Sequence, residues 1–169
     1  MSNIQTNHGQ IARVAIALGS NLGDSRAIVE SALKTLAHTP GFTLLRQSPF
    51  YQTAAVGPPQ PDYINACALC ATHLEPHAVL SLLLQIEHAF GRIRRERWGA
   101  RLLDLDLLLY DDRVLDSPDL QIPHPRMSQR AFVLVPLADI APDWVEPVSG
   151  QAIADLAQQV DSTGVQALA

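Results

Sequence analysis

Residues 101–110, Arg-Leu-Leu-Asp-Leu-Asp-Leu-Leu-Leu-Tyr, constrain the fold of this chain more than any other stretch. Two carboxylates stand two residues apart in an otherwise apolar strand. Side chains of a β-strand repeat with a period of two, so Asp104 and Asp106 share a face with Cα atoms roughly 6–7 Å apart. Leu103, Leu105 and Leu107 take the opposite face, which must meet a core. Two carboxylates at this spacing repel each other unless a cation lies between them. Magnesium fits, because it takes one or two carboxylates and leaves its other positions to water and phosphate. A lone Asp-x-Asp is better read as the wet face of an edge strand, since Asp is mostly exposed. The neighbouring residues decide between the two.

Directly upstream runs Gly-Arg-Ile-Arg-Arg-Glu-Arg-Trp-Gly-Ala-Arg. Of 12 cationic residues only Lys34 is a lysine, and five of the arginines fall between Arg92 and Arg101. Arginine offers a planar fork of donors that suits phosphate oxygens and stays charged in proteins. A dense arginine cluster leading into a metal-competent carboxylate pair is what polyphosphate transfer requires. Part of the cluster can also serve as the positive C-terminal end of a helix. Trp98, a large aromatic in a polar glycine-flanked loop, points to a mobile lid over a ligand.

The chain's 169 residues suit one well-cored domain, at 47% hydrophobic and 17% charged. The net charge of −5 argues against a broad nucleic-acid surface; the positive charge is local. No 18-residue apolar run occurs and Met1 to Gln10 is polar, so a cytoplasmic protein without a membrane partner is expected. A monomer is expected as well. Cys67 and Cys70 form a Cys-x-x-Cys, but in the strand-like run 63–72 their spacing puts them on opposite faces. No second pair completes a zinc site, so both read as buried structural thiols.

Residues 13–18 read as a buried strand ended by Gly19-Ser20-Asn21. Asp24 or Ser25 caps a helix with Ile28, Ala32, Leu33 and Leu36 at helical spacing, stopped by Thr39-Pro40-Gly41. A second strand spans 42–51, and a proline-rich loop fills 53–62. A third strand spans 63–72, then a helix runs from Pro76 to Phe90 with Gly91 at its C-cap. The fourth strand carries the aspartates. This order is βαββαβ, an α+β ferredoxin-like core with an antiparallel sheet, helices packed on it and a C-terminal extension. Within that extension Pro123-His124-Pro125 marks a rigid turn, residues 132–137 are expected to add a strand, and 151–160 a short helix. The organisation expected is a polar tail over 1–11, one domain over 12–160 and a C-terminal tail over 161–169. Leu-Gly-Ser-Asn-Leu-Gly-Asp (18–24) lacks the Lys-Ser/Thr ending of a P-loop and reads as a tight turn in a pocket wall.

Together these residues resemble the 6-hydroxymethyl-7,8-dihydropterin pyrophosphokinase family of folate biosynthesis. The resemblance is carried by Gly-Ser-Asn-Leu (19–22), Phe-Tyr-x-Thr (50–53), and Gly-Pro with Gln-Pro-Asp-Tyr-x-Asn (57–65). It continues through Ile-Glu (86–87), Gly-Arg-x-Arg (91–94), Arg-Trp-Gly-x-Arg-x-Leu-Asp-Leu-Asp (97–106), Pro-His (123–124) and Arg-x-Phe (130–132). It implies transfer of pyrophosphate from ATP, with two magnesium ions held by Asp104 and Asp106, to the hydroxymethyl group of the pterin. Arg92 and Arg101 would join the aspartates in catalysis. Glu87, Arg94, Trp98, Arg101, Leu107, His124 and Arg130 would contact ATP. Tyr63 and Phe132 would sandwich the pterin ring, read at its edge by Asn65, Thr53 and the backbone near Val56, with Trp98 closing over it. Four departures bear on nucleotide affinity and loop geometry. Leu84 replaces a family Gln, Ala54-Ala55 a Pro-Pro, Asp119 and Gln121 an Arg and a Thr, and Pro125 a Tyr. Two other readings share the pattern: a two-metal nucleotidyl transferase on a palm-like sheet, and a non-catalytic ferredoxin-like binding module. The first would need a broader basic surface, and the second a stripe of exposed aromatics that a chain with 5% aromatics does not show.

Overall fold

The computed structural model describes residues 10–55, 57–91 and 102–168. β1 (Ala12–Ser20) leads into α1 (Ser25–His38), followed by β2 (Phe42–Gln47), β3 (Tyr51–Thr53) and β4 (Tyr63–Thr72). Next come α2 (Pro76–Ala89), β5 (Asp104–Tyr110), and a small hairpin of β6 (Leu115–Asp116) and β7 (Gln121–Ile122). A 3₁₀ turn (Met127–Gln129), α3 (Ala131–Ile140), α4 (Ile153–Gln159) and β8 (Val165–Ala167) complete the chain. The main sheet is antiparallel throughout, in the order β5-β1-β4-β3-β8, with β2 also on β4. The order β5-β1-β4-β2, with α1 and α2 as the connections, is the ferredoxin-like arrangement expected.

Local chemistry accounts for the elements. The Asp24 carboxylate caps α1 by accepting the Ala27 N–H at 3.2 Å, and Val29, Ala32, Leu33 and Leu36 give α1 its buried stripe. Pro76 opens α2 where no N–H is needed, and Gly91 follows it at φ 81°. Alternation along β1, β4 and β5 builds two cores. On the α1/α2 face lie Val14, Ile16, Leu18, Ala66, Ala68, Cys70, Leu103, Leu105 and Leu107. On the α3/α4 face lie Ala15, Cys67, Leu69, Leu108, Leu109, Leu134 and Leu137. The two thiols do occupy opposite faces, both free and buried. Burial pushes the Cys70 thiol up to about 12 and the Cys67 thiol higher still, so neither is a ready nucleophile.

Three expectations are corrected. The strand expected over 42–51 is two strands, because Pro49 has no N–H for the ladder. Ser48 bridges the break, its N–H donating to the Cys67 carbonyl and its Oγ accepting the Cys67 N–H, both at 2.9 Å. Residues 132–137 form part of helix α3 and not a strand. A continuous apolar run has no period that separates a buried strand from a buried helix. The C-terminal tail is a strand over residues 165–167, since β3 offers an open edge and β8 pairs with it.

Candidate active site

Register brings the site together. Gly19 of β1 pairs with Asn65 of β4 on one side and Asp104 of β5 on the other; Ala17 pairs with Asp106. Thr53 of β3 pairs with Tyr63 of β4. Parity therefore sets Thr53, Tyr63, Asn65, Gly19, Asp104 and Asp106 on one face, the face that α3 covers only in part. Beyond the start of α3 this face opens into a cavity of about 810 Å³. Phe132 and Val133 of α3 wall it on one side, with His124, Arg126, Gln129 and Arg130 from the segment before α3.

At one end of the cavity Tyr63 and Phe132 are the aromatic surfaces. The Thr53 hydroxyl and the Asn65 amide oxygen there are buried and find no hydrogen-bond partner among the described residues. An unmade buried hydrogen bond costs about 1–3 kcal/mol. Both residues line the cavity, and unmatched polar groups at its wall suit the edge of a polar, planar ligand. Glycine at position 19 makes this possible, because a Cβ there would lie 2.9 Å from Asn65 Nδ2. The turn after β1 is tied to the proline-rich loop by Asn21, whose Nδ2 donates to Gln60 Oε1 at 2.8 Å and to the Pro61 carbonyl at 3.1 Å.

At the other end stand Asp104 and Asp106, both half-buried. Among the described residues no cluster of three or more His, Cys, Asp or Glu side chains exists to enclose a metal. The described chain thus offers a cation two carboxylates and no closed cage. That donor set suits magnesium completed by phosphate and water. Behind the pair, buried Glu87 accepts the Leu105 N–H at 2.9 Å, the one amide between the two aspartates. Glu87 therefore holds β5 in place and does not line the cavity. The Leu107 side chain lies in the α1/α2 core, so only its backbone can face a ligand.

His124 is fixed from both ends. Its N–H donates to the Leu108 carbonyl at 2.9 Å and its Nδ1 accepts the Arg126 N–H at 3.2 Å. An amide can only donate, so Nδ1 is unprotonated and the neutral ring carries its proton on Nε2. Burial holds the imidazole pKa below its ordinary value; Asp106 opposes this, and Arg130 and Arg126 reinforce it. His124 is accordingly a neutral donor, suited to a phosphate oxygen and not poised to take a proton through Nε2. Arg130, at the start of α3, lies with its guanidinium 5.5 Å from the Phe132 ring centre. It links the aromatic end to the charged end.

The structure thus gathers Asp104, Asp106, His124, Arg130, Thr53, Tyr63, Asn65 and Phe132 around one cavity. Val56, Arg92, Arg94, Trp98 and Arg101 lie outside the described residues. Sequence reasoning missed Arg126 and Gln129, which follow a proline turn with no periodicity to place them, and the tie from Asn21 to Gln60. The sheet face is roofed by α3, unlike the open aromatic face of a nucleic-acid-binding module.

Residues 15–142 match the family model described as 7,8-dihydro-6-hydroxymethylpterin-pyrophosphokinase (HPPK). A Synechocystis 2-amino-4-hydroxy-6-hydroxymethyldihydropteridine pyrophosphokinase is 50% identical over 161 residues, 95% of this chain and 80% of its own. The Pseudomonas aeruginosa protein of that name is 42% identical over 159 residues, 94% of this chain and 98% of its own. Among solved structures, a Plasmodium falciparum HPPK-DHPS triple mutant superposes with a TM-score of 0.74 at 15% identity. That match covers 94% of this chain but 46% of the longer Plasmodium chain, and shows the fold alone. With matches of this extent across nearly its whole length, the chain belongs to the 7,8-dihydro-6-hydroxymethylpterin-pyrophosphokinase family.

Proposed function

We propose that this protein transfers the terminal diphosphate of ATP to the hydroxymethyl oxygen of 6-hydroxymethyl-7,8-dihydropterin, releasing AMP. The observation that carries the reading is the union, in one cavity, of an aromatic slot edged by two orphaned polar groups with a carboxylate pair faced by cations. Tyr63 and Phe132 stack on the pterin, whose flat ring suits offset aromatic contact. The Thr53 hydroxyl and the Asn65 amide complete the ring's donor and acceptor pattern. A ring held there presents its hydroxymethyl arm toward the phosphate end.

The oxygen of that arm forms a bond to the β-phosphorus while the bond from β-phosphorus to the α,β-bridging oxygen breaks. AMP leaves with the bridging oxygen, and the hydroxyl proton goes to solvent. Little covalent chemistry falls to the protein, so positioning and charge stabilisation dominate. Asp104 and Asp106 would hold magnesium, which when bound neutralises charge on the phosphate oxygens. His124 donates from Nε2 and Arg130 from its guanidinium to the phosphate chain. Arg92, Arg94, Arg101 and Trp98 belong to this reading by resemblance, as do the Val56 backbone and the ATP contacts assigned to Glu87 and Leu107.

The test is incubation with ATP, magnesium and the pterin alcohol, with nucleotide and pterin products separated by chromatography. One AMP should form per pterin diphosphate. Formation of ADP with a pterin monophosphate would mean attack at the γ-phosphorus and overturn the reading.

A further inference from the structure

We propose that Arg126 is a substrate-binding residue that grips the phosphate chain of the nucleotide from the cavity wall. The proposal rests on the diphosphate-transfer reading of the cavity and extends it to a residue that reading does not use.

Arg126 lines the same cavity as Asp104 and Asp106. Three other described arginines are engaged: Arg26 pairs with Glu30 at 3.4 Å, Arg113 with Glu75 at 3.2 Å, and Arg13 lies over Trp144. The Arg126 guanidinium is exposed and has no hydrogen bond or ion pair among the described residues. Its backbone, by contrast, is committed. The Arg126 N–H holds His124, its carbonyl accepts the Gln129 N–H at 3.1 Å, and the next residue, Met127, is buried in the α3 core. The Cα is therefore fixed on the cavity wall while the charged end is left for something else. Arg126 and Arg130 both act electrostatically on the His124 ring, which places the three groups in one neighbourhood.

Charge balance admits an anion. The charged side chains lining the cavity among the described residues are Asp104 and Asp106 against Arg126 and Arg130, with His124 neutral. Two carboxylates against two guanidiniums leave no net charge. Without Arg126 that lining would be net negative and would repel a polyanion. A guanidinium fork meets two phosphate oxygens at once, which a point charge cannot do.

Binding of magnesium with α,β-methylene ATP, measured by calorimetry, tests this. Arg126→Ala should weaken binding about tenfold or more, the loss expected for one charge-assisted contact. Arg126→Lys should recover part of the loss, and pterin affinity should stay within about twofold of the parent by the same reasoning. Arg113→Ala, which removes a charge outside the cavity, should bind like the parent. Arg126→Gln keeps the side-chain length and all backbone bonds, so it serves if the alanine variant folds poorly. Unchanged nucleotide affinity in Arg126→Ala or Arg126→Gln overturns the proposal, and so does an equal loss of pterin affinity. If the parent binds nucleotide in an Arg126-dependent way yet makes no AMP from the pterin alcohol, the proposed reaction fails and the role of Arg126 stands.

Discussion

The two faces of the sheet are made by the same strands and meet opposite fates. One face is covered by α1 and α2, 14 residues each and so about 21 Å long. Against strands of nine and ten residues, about 30 Å, this is the longer cover of the two faces, and Leu18, Leu103 and Leu105 remain buried at the site end. The other face carries α3, ten residues and about 15 Å, backed by the short α4. Under α3 the sheet is apolar, with Ala15, Cys67 and Leu69. Past its first turn the same strands present Ala17, Gly19, Asn65 and the two aspartates. The site therefore arises where a short helix leaves one face uncovered, and the small residues of β1 deepen the opening. Function here needs no distortion of the fold, only less cover on one side.

Adjacent residues of β5 test this division most severely. Asp106→Asn should lower kcat about 1,000-fold, the worth of several kcal/mol of charge stabilisation in transfer. Its stability should stay within about 0.5 kcal/mol of the parent, since no packing is lost. Leu105→Ala, one residue away on the sealed face, should cost about 2–5 kcal/mol of stability in a denaturant titration. Activity per folded molecule should change far less than in Asp106→Asn. If the two variants exchange these phenotypes, the assignment of faces is wrong.

Gly19 sharpens the same contrast. An alanine Cβ there would press on Asn65 Nδ2 at 2.9 Å, whereas its backbone is ordinary strand that any residue adopts. Gly19→Ala should weaken pterin binding by about 1–3 kcal/mol, the cost of displacing a buried hydrogen-bonding group. Calorimetry with the pterin should show this while the thermal midpoint hardly moves. An unaltered pterin affinity would mean that Asn65 does not read the ring.

Much of the sealed face was legible in the amino-acid pattern. α1 and α2 have helical spacing and conventional ends, and β4 and β5 show strand parity. The Asp104–Asp106 pair was legible for the same reason: parity in a leucine-rich strand leaves little choice of face. The partly covered face was harder to read. Ala131 to Ile140 is apolar nearly all round, so its period hid the helix whose short length creates the cavity. β8 depends on a sheet edge more than 100 residues away, which no local pattern reports. Glu87 matched a family signature, but burial behind β5 makes it an anchor for the Leu105 amide, a distinction that only packing reveals. Arg126 is one arginine in a turn, and what distinguishes it is a place on the cavity wall with no ion pair among the described residues.

The smallest expected effect lies where α3 is pinned to the sheet. The Tyr51 hydroxyl of β3 donates to the Asp139 carboxylate near the end of α3, and this contact helps fix how far α3 covers the site face. Burial, reinforced by the Asp139 bond and its charge, pushes the Tyr51 pKa up from 10.0 to about 12. A raised folded-state value means that the folded protein keeps its phenolic proton where the unfolded chain has released it. The stabilisation is therefore fully present below pH 10 and is lost as pH rises toward 12. Tyr51→Phe removes the hydroxyl and leaves the ring, so at neutral pH it should cost only about 1 kcal/mol, the net worth of one hydrogen bond. The stability difference between parent and variant should be flat from pH 7 to 9.5 and shrink through the alkaline window set by that shift. Other alkaline-titrating groups without a charge interaction with Tyr51, Tyr110 and Cys70, cancel in the difference. A difference that stays constant to pH 12 would show that Tyr51 does not hold α3 through its proton. The limit of the cover would then be set by apolar packing alone.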